Sequence, residues 1–255
     1  MRGLRAGFWF QWMTFRARIG SVTILLAIPF YVINFLSIVE VSGRTDLYAA
    51  VVLAPALSGI WSVALALGAN SITSERGHGT LELIVSSPAS VKAYLWGRML
   101  ASSAVGLLAF AESWLFAIAV VDLPPVIWHP AWFAAAIVGT AFATVSTSAL
   151  LAAIAALSRA PDAQQNFLNY PIFVLAGIFT PVALLPVWVH PVSRLIFLSW
   201  AADLLRATLS PNAPTNPWLQ LGAVITLGAI AFASGGWLIS MIMTRLQKTG
   251  KLIAG

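Results

Sequence analysis

This chain has little charge. Asp, Glu, Lys and Arg make up 9% of its 255 residues, where a soluble domain carries roughly 25%. Hydrophobic residues make up 60%, so a water-soluble globule is excluded and a membrane protein is expected. Cysteine is absent, which rules out disulfides and thiolate metal sites and leaves the compartment open. Catalytic patterns are missing too. His78, His129 and His190 fall in expected loops or at membrane edges, no His-Glu-x-x-His occurs, and no Ser or Asp pair shares an apolar stretch with a histidine. There is no phosphate-binding loop: only Lys251 follows a glycine, and it lacks the upstream Gly and the following Ser or Thr. The chain is read as no enzyme, with no catalytic residue, no metal site and no cofactor of its own.

Apolar length takes up the rest. A hydrocarbon core of about 30 Å needs roughly 20 helical residues, and six stretches are read as spans: 20–39, 47–72, 99–121, 131–157, 167–182 and 218–244, the fifth being the shortest. Barrel strands would be about ten residues long with strict alternation, and these runs are neither. The first, "SVTILLAIPFYVINFLSIVEV", is too long for a signal peptide and follows an amphipathic segment, so no cleavage is expected.

Lysine and arginine set the orientation, because short loops rich in them stay cytoplasmic. With the N-terminus inside, Arg2, Arg5, Arg16, Arg18, Arg76, Lys92, Arg98, Arg159, Arg245, Lys248 and Lys251 lie on the inner side, and only Arg44, Arg194 and Arg206 on the outer. Both termini are then cytoplasmic. The net charge of +6 reads as topology and attraction to anionic membrane lipid. Nucleic acid is excluded as a partner, since the basic residues form no single patch.

In the N-terminal segment, Leu4, Phe8, Trp12, Phe15 and Ile19 fall within a sector of about 80° on a helical wheel, bracketed by arginines. This predicts a helix over 1–19 lying in the membrane interface. An ordinary aromatic and arginine anchor is the plainer reading.

Charge is concentrated in one place, "SERGHGTLELIVSSP", where Glu75, Arg76, His78 and Glu82 occur within eight residues. Gly77 and Gly79 are expected to break the helix continuing from the second span, Thr80 to cap a short one, Pro88 to stop it, and Ser90 to cap the third span. The short helix carries Leu81, Leu83, Ile84 and Val85. That aliphatic surface on a loop calls for a partner, although a turn folding back on the membrane would also account for it.

With its flanks, "ITSERGHGTLELIVSSPAS" resembles the signature of the type-2 ABC exporter permeases: Glu-Arg, then Gly-Thr-Leu-Glu two residues on, then Pro-small-Ser after the second span. The likeness implies an all-α membrane protein occupying 1–255 as a single transmembrane domain. It would have six transmembrane helices, an interface helix (1–19), a cytoplasmic coupling-helix loop (73–90) and a re-entrant outer segment (184–210). It implies that Glu75, Arg76, Gly79, Thr80, Leu81, Glu82, Leu83 and Pro88 couple to an ABC ATP-binding subunit, and that Leu4, Phe8, Trp12 and Phe15 seat the interface helix. Two ATP-binding subunits, holding ATP and Mg, would join two permeases, either two copies or this chain and a paralogue, in the cytoplasmic (inner) membrane.

The outer segment "TPVALLPVWVHPVSRLIFLSWAADLLRATLSP" is too apolar for a loop and too rich in proline for an unbroken span. Its "LPVW" and "DLLR" are similar to the family's re-entrant pair, which makes Pro186, Trp188, Asp203 and Arg206 pathway or gate candidates; "LIFLSW" departs from it where many members have a proline. Asp203 and Arg206, three apart, can share a helix face. Glu112 lies well inside the third span. Intramembrane carboxylates are costly and line pathways by default, while a protonated Glu bonded to a neighbouring helix, through Ser113 or the hydroxyls of "TVSTS", is the structural alternative. The expected function is export of an amphipathic or lipid-like substrate such as a drug, antibiotic or glycolipid. Polysaccharide or lipid-linked glycan export, and an ion-coupled secondary transporter, are the alternatives.

Overall fold

The computed structural model describes residues 2–17, 29–37, 39, 41, 43, 48–86, 90–120, 126–158, 161–179 and 181–249. Among them all regular structure is helical. Helix α1 is Arg2–Ala17 and α2 is 29–37. Next, α3, Tyr48–Val63, leads through a π-helical stretch, Ala64–Ala69, into α4, Ser71–Gly77. The short α5, Leu81–Ser86, precedes α6, Val91–Val120, and α7, Pro130–Leu157. Then come α8, Pro161–Leu175, α9, His190–Arg194, α10, Phe197–Thr208, and α11, Pro217–Thr249.

Four stretches among the described residues are long and apolar enough to cross a membrane: Val52–Gly77, Val91–Ala119, Pro130–Leu157 and Pro217–Lys248. They lie at the expected second, third, fourth and sixth spans. Half of the expected first span falls outside the described residues, and α2 with Val39 represents the rest. The expected fifth span, 167–182, takes another form, because α8 has 15 residues, about 22 Å at 1.5 Å per residue. Its end has a local cause. Gly177 adopts φ +67°, its N–H donates to Val174 O (3.0 Å), and the Ile178 N–H donates to Phe173 O (3.1 Å), the two bonds of a Schellman turn. The chain beyond makes two 3₁₀ turns, Val182–Leu184 and Val187–Val189, before α9 and α10.

Helix α10 is no surface helix. Leu198, Ala201, Ala202, Leu204 and Leu205 are fully buried against Leu53, Leu57 and Trp61 of α3 and Ala136 and Ala143 of α7. A second apolar cluster joins Ile72 of α4, Leu81 of α5, Leu95 and Met99 of α6, Ala149 of α7 and Ile242 of α11. The small residues of the fourth and sixth spans do what their size allows: a Cβ on Gly235 would stand 2.7 Å from Leu150 N, so α11 lies close along α7.

Helix α1 lies along the start of α6 at backbone distance. A Cβ on Gly7 would sit 1.9 Å from Tyr94 O, and one on Gly97 would sit 2.1 Å from Leu4 O. The buried side of α1 is therefore Gly7, Gln11 and Phe15, with Phe8 and Trp12 half-buried and Leu4 exposed. Trp9 and Met13 face outward. Residue size, not hydropathy, decides which side of α1 approaches the α6 backbone.

Candidate functional site

The charged turn between α4 and α6 is built on a second Schellman turn. Gly79 takes φ +68°, its N–H donates to Arg76 O (3.1 Å), and the Thr80 N–H donates to Glu75 O (3.0 Å). Gly77 does not break the helix; it ends α4 in regular conformation. Only Gly79, in the left-handed region, requires glycine. Thr80 stands just before α5, accepting from the Ile84 N–H at 3.0 Å, but its hydroxyl donates to the Glu75 carboxylate. Ser90 caps α6 as expected, its Oγ accepting from the Ala93 N–H (3.3 Å).

Glu75 points inward. Its Oε1 accepts from Arg98 Nη1 at 2.5 Å and from the Tyr94 hydroxyl at 3.0 Å. The side chains of Arg98 and Glu75 are only 4% and 5% exposed. Arg98 also donates from Nη1 to Ser71 O (2.7 Å), from Nη2 to Ser74 Oγ (3.2 Å) and from Nε to Gln11 Oε1 (2.7 Å), and its guanidinium lies 5.3 Å from the Phe10 ring centroid. Burying a charge is costly unless it is paired and hydrogen-bonded, and here both conditions hold. One guanidinium from α6 thereby joins α1, α4 and, through Glu75 and Thr80, the start of α5. These groups form the floor of a cleft of about 1170 Å³ bounded by α1, α4, α5 and the first turns of α6.

Of the other residues singled out in this turn, Leu81 is buried in the second apolar cluster. Arg76, Gly79 and Leu83 are exposed. Glu82 lies within α5, with its side chain outside the described set, and Pro88 lies outside the described residues. The turn therefore has an inward side, Glu75, Thr80 and Leu81, and an outward side, Arg76, His78 and Leu83.

The outer candidates divide. Pro186 and Trp188 are exposed on the 3₁₀ turns, Trp188 at 79%. Asp203 and Arg206 do share a face of α10, 3.6 Å apart, but the closer partner of Asp203 is Arg194 of α9, whose Nη1 donates to Oδ2 at 2.7 Å. Arg194 also lies 4.5 Å from the Trp200 ring centroid, and its carbonyl accepts from Trp200 Nε1 (2.9 Å). Arg206 Nη2 donates to Gly177 O and to Ile178 O, the latter at 2.7 Å, fastening α10 to the turn that ends α8. Its Nε and Nη1 are buried without a hydrogen-bond partner among the described residues. Glu112, half-buried on α6, has one carboxyl oxygen buried with no hydrogen-bond partner among the described residues. Its neighbour Ser113 donates to Val52 O (2.9 Å) instead. Glu112 is spaced for the α6 face of Ala109 and Phe116, which packs on Val32 and Leu36 of α2.

Gln11, Tyr94, Arg98 and Arg194 were not singled out in the sequence as site residues. Arg98 entered only as a topology charge; its i+4 spacing from Tyr94 was the available signal, as Gly3, Gly7 and Gln11 at i+4 steps were for α1. Among the described residues no group of three His, Asp or Glu is placed to hold a metal. Residues 2–210 match the ABC-2 type transporter family. No curated protein matches the chain.

Proposed function

The chain belongs to the ABC-2 type transporter family, and from that premise we propose that it is the permease subunit of an ATP-driven exporter in the cytoplasmic membrane. Family membership makes it a transport component of a multi-pass membrane protein. In the proposed assembly two ATP-binding subunits hold ATP and Mg and act on two permeases. The substrate is amphipathic or lipid-like, a class favoured by spans with almost no charge. Both termini are cytoplasmic, 20–39 and the segment that includes α8 supply the remaining two spans, α5 is the coupling helix and α1 the interface helix.

The observation that carries this reading is the two-sided α4–α5 turn. Leu81, Thr80 and Glu75 fix it to the membrane helices, while Arg76, His78 and Leu83 are offered outward. Apolar surface flanked by charge at the end of a span suits a docking contact in which the charges set register. On the opposite side, Pro186, Trp188, Asp203, Arg206 and Glu112 are the pathway or gate candidates. The test is affinity purification of the tagged chain, followed by vesicle reconstitution. Recovery of a soluble P-loop subunit and ATP-dependent movement of a lipid-like fluorescent substrate are expected. Recovery of the chain alone, with movement driven by an ion gradient, would overturn the reading in favour of a secondary transporter.

A further inference from the structure

We propose that Arg98 is the positioning residue that delivers movement of the α4–α5 turn to the third span and to α1, instead of letting it pass up the second span. The inference rests on the exporter reading above and deepens it.

Three observations carry it. First, α4 is not a plain continuation of α3. The π-helical stretch Ala64–Ala69 separates them, and π-turns inside helices occur frequently at functional sites. Here the stretch presses on α7, since a Cβ on Gly68 would meet the Ser148 side chain at 2.8 Å. Second, below that stretch α4 is held laterally by Arg98, which grips it at Ser71 O, Ser74 Oγ and Glu75 Oε1. A planar guanidinium directs these bonds along fixed lines, which a lysine ammonium does not. Third, the same guanidinium holds Gln11 of α1, and α1 is already seated on α6 at Gly7 and Gly97. The turn, α1 and the first two turns of α6 therefore form one body, and the break in α-helical geometry lies above them in the second span. Glu75 acts inside this body, on Arg98, and not on the partner's surface.

A merely structural ion pair would alter stability and nothing else, so the test reads coupling. Arg98→Lys keeps the charge opposite Glu75 and loses the fork to Gln11 and Ser71. In the reconstituted complex it should recover the P-loop subunit in wild-type amount and still support ATP hydrolysis. Substrate moved per ATP should fall about tenfold, within the range that coupling-path substitutions produce. Wild-type transport per ATP in Arg98→Lys overturns the inference while leaving the exporter reading intact. Failure of the wild-type chain to recover any P-loop subunit overturns both. Poor accumulation of the variant does not remove the test, because the cysteine-free chain accepts spin labels at Thr73 of α4, which lines the cleft, and at the exposed Lys92 of α6. Their separation in an otherwise wild-type complex should be the same without nucleotide and with nucleotide trapped. A nucleotide-dependent change in that distance shows that α4 moves against α6 and overturns the inference.

Discussion

Glu75 and Asp203 each meet arginine beside a glycine-ended helix, one at Gly79 and the other near Gly177, yet the two sites are held differently. At Glu75 one carboxylate meets one guanidinium, both almost fully buried, and hydroxyls of Thr80 and Tyr94 take up remaining acceptor capacity. At Asp203 one carboxylate is shared by two arginines, with Arg194 38% exposed and two nitrogens of Arg206 left without a hydrogen-bond partner among the described residues. The first arrangement is closed and balanced, which suits a fixed joint. The second has a cation in excess and a partner open to solvent, so its geometry can change at lower cost. Glu112, with one carboxyl oxygen buried and without a hydrogen-bond partner among the described residues, is the limiting third case.

Substitution at the three carboxylates should rank in that order. Glu75→Ala removes the buried carboxylate that Arg98, Tyr94 and Thr80 share, and thermal unfolding in detergent should show a loss of about 3–5 kcal/mol. A loss below about 1 kcal/mol would mean that the inner pair is no tighter than the outer one and would break the comparison. Asp203→Asn should cost about 1 kcal/mol, reduced by the exposure of Arg194 and by the carbonyls that still hold Arg206; the same assay at high salt sharpens the result, since only the outer site should respond. Glu112→Leu should stay within about 0.5 kcal/mol of wild type, because no hydrogen bond to a described residue is lost. A larger loss would show that the carboxyl bonds a neighbouring helix, as one reading of the sequence has it.

The long spans were legible because an uninterrupted apolar run has few other uses. Ser90 was legible as a cap because its hydroxyl acts within one helical turn. Gly79 was legible as a break, but Gly77 looked identical in sequence, and only the local φ tells them apart. What stayed hidden crosses between elements. Arg98 lies 23 residues from Glu75 and 87 from Gln11, and no local rule joins them. Arg194 reaches Asp203 across the bend between α9 and α10, whereas Arg206, three residues away on one helix, could be read. On α1 the wheel sorted residues by hydropathy, while the seat on α6 is set by what Gly7 and Gly97 lack.

The π-helical stretch also has a consequence for counting. A π-turn stores one residue beyond what an α-helix needs over the same path, so the periodicity of the second span slips by one between Val63 of α3 and Ser71 of α4. Removing one residue within Ala64–Ala69 would discharge the slip and leave Glu75 on its bearing towards Arg98. Removing one residue between Ser71 and Ser74 has no slack to draw on and would swing Glu75 by about 100°. In relatives of unequal length, a one-residue gap is accordingly expected to settle in the first place and not in the second.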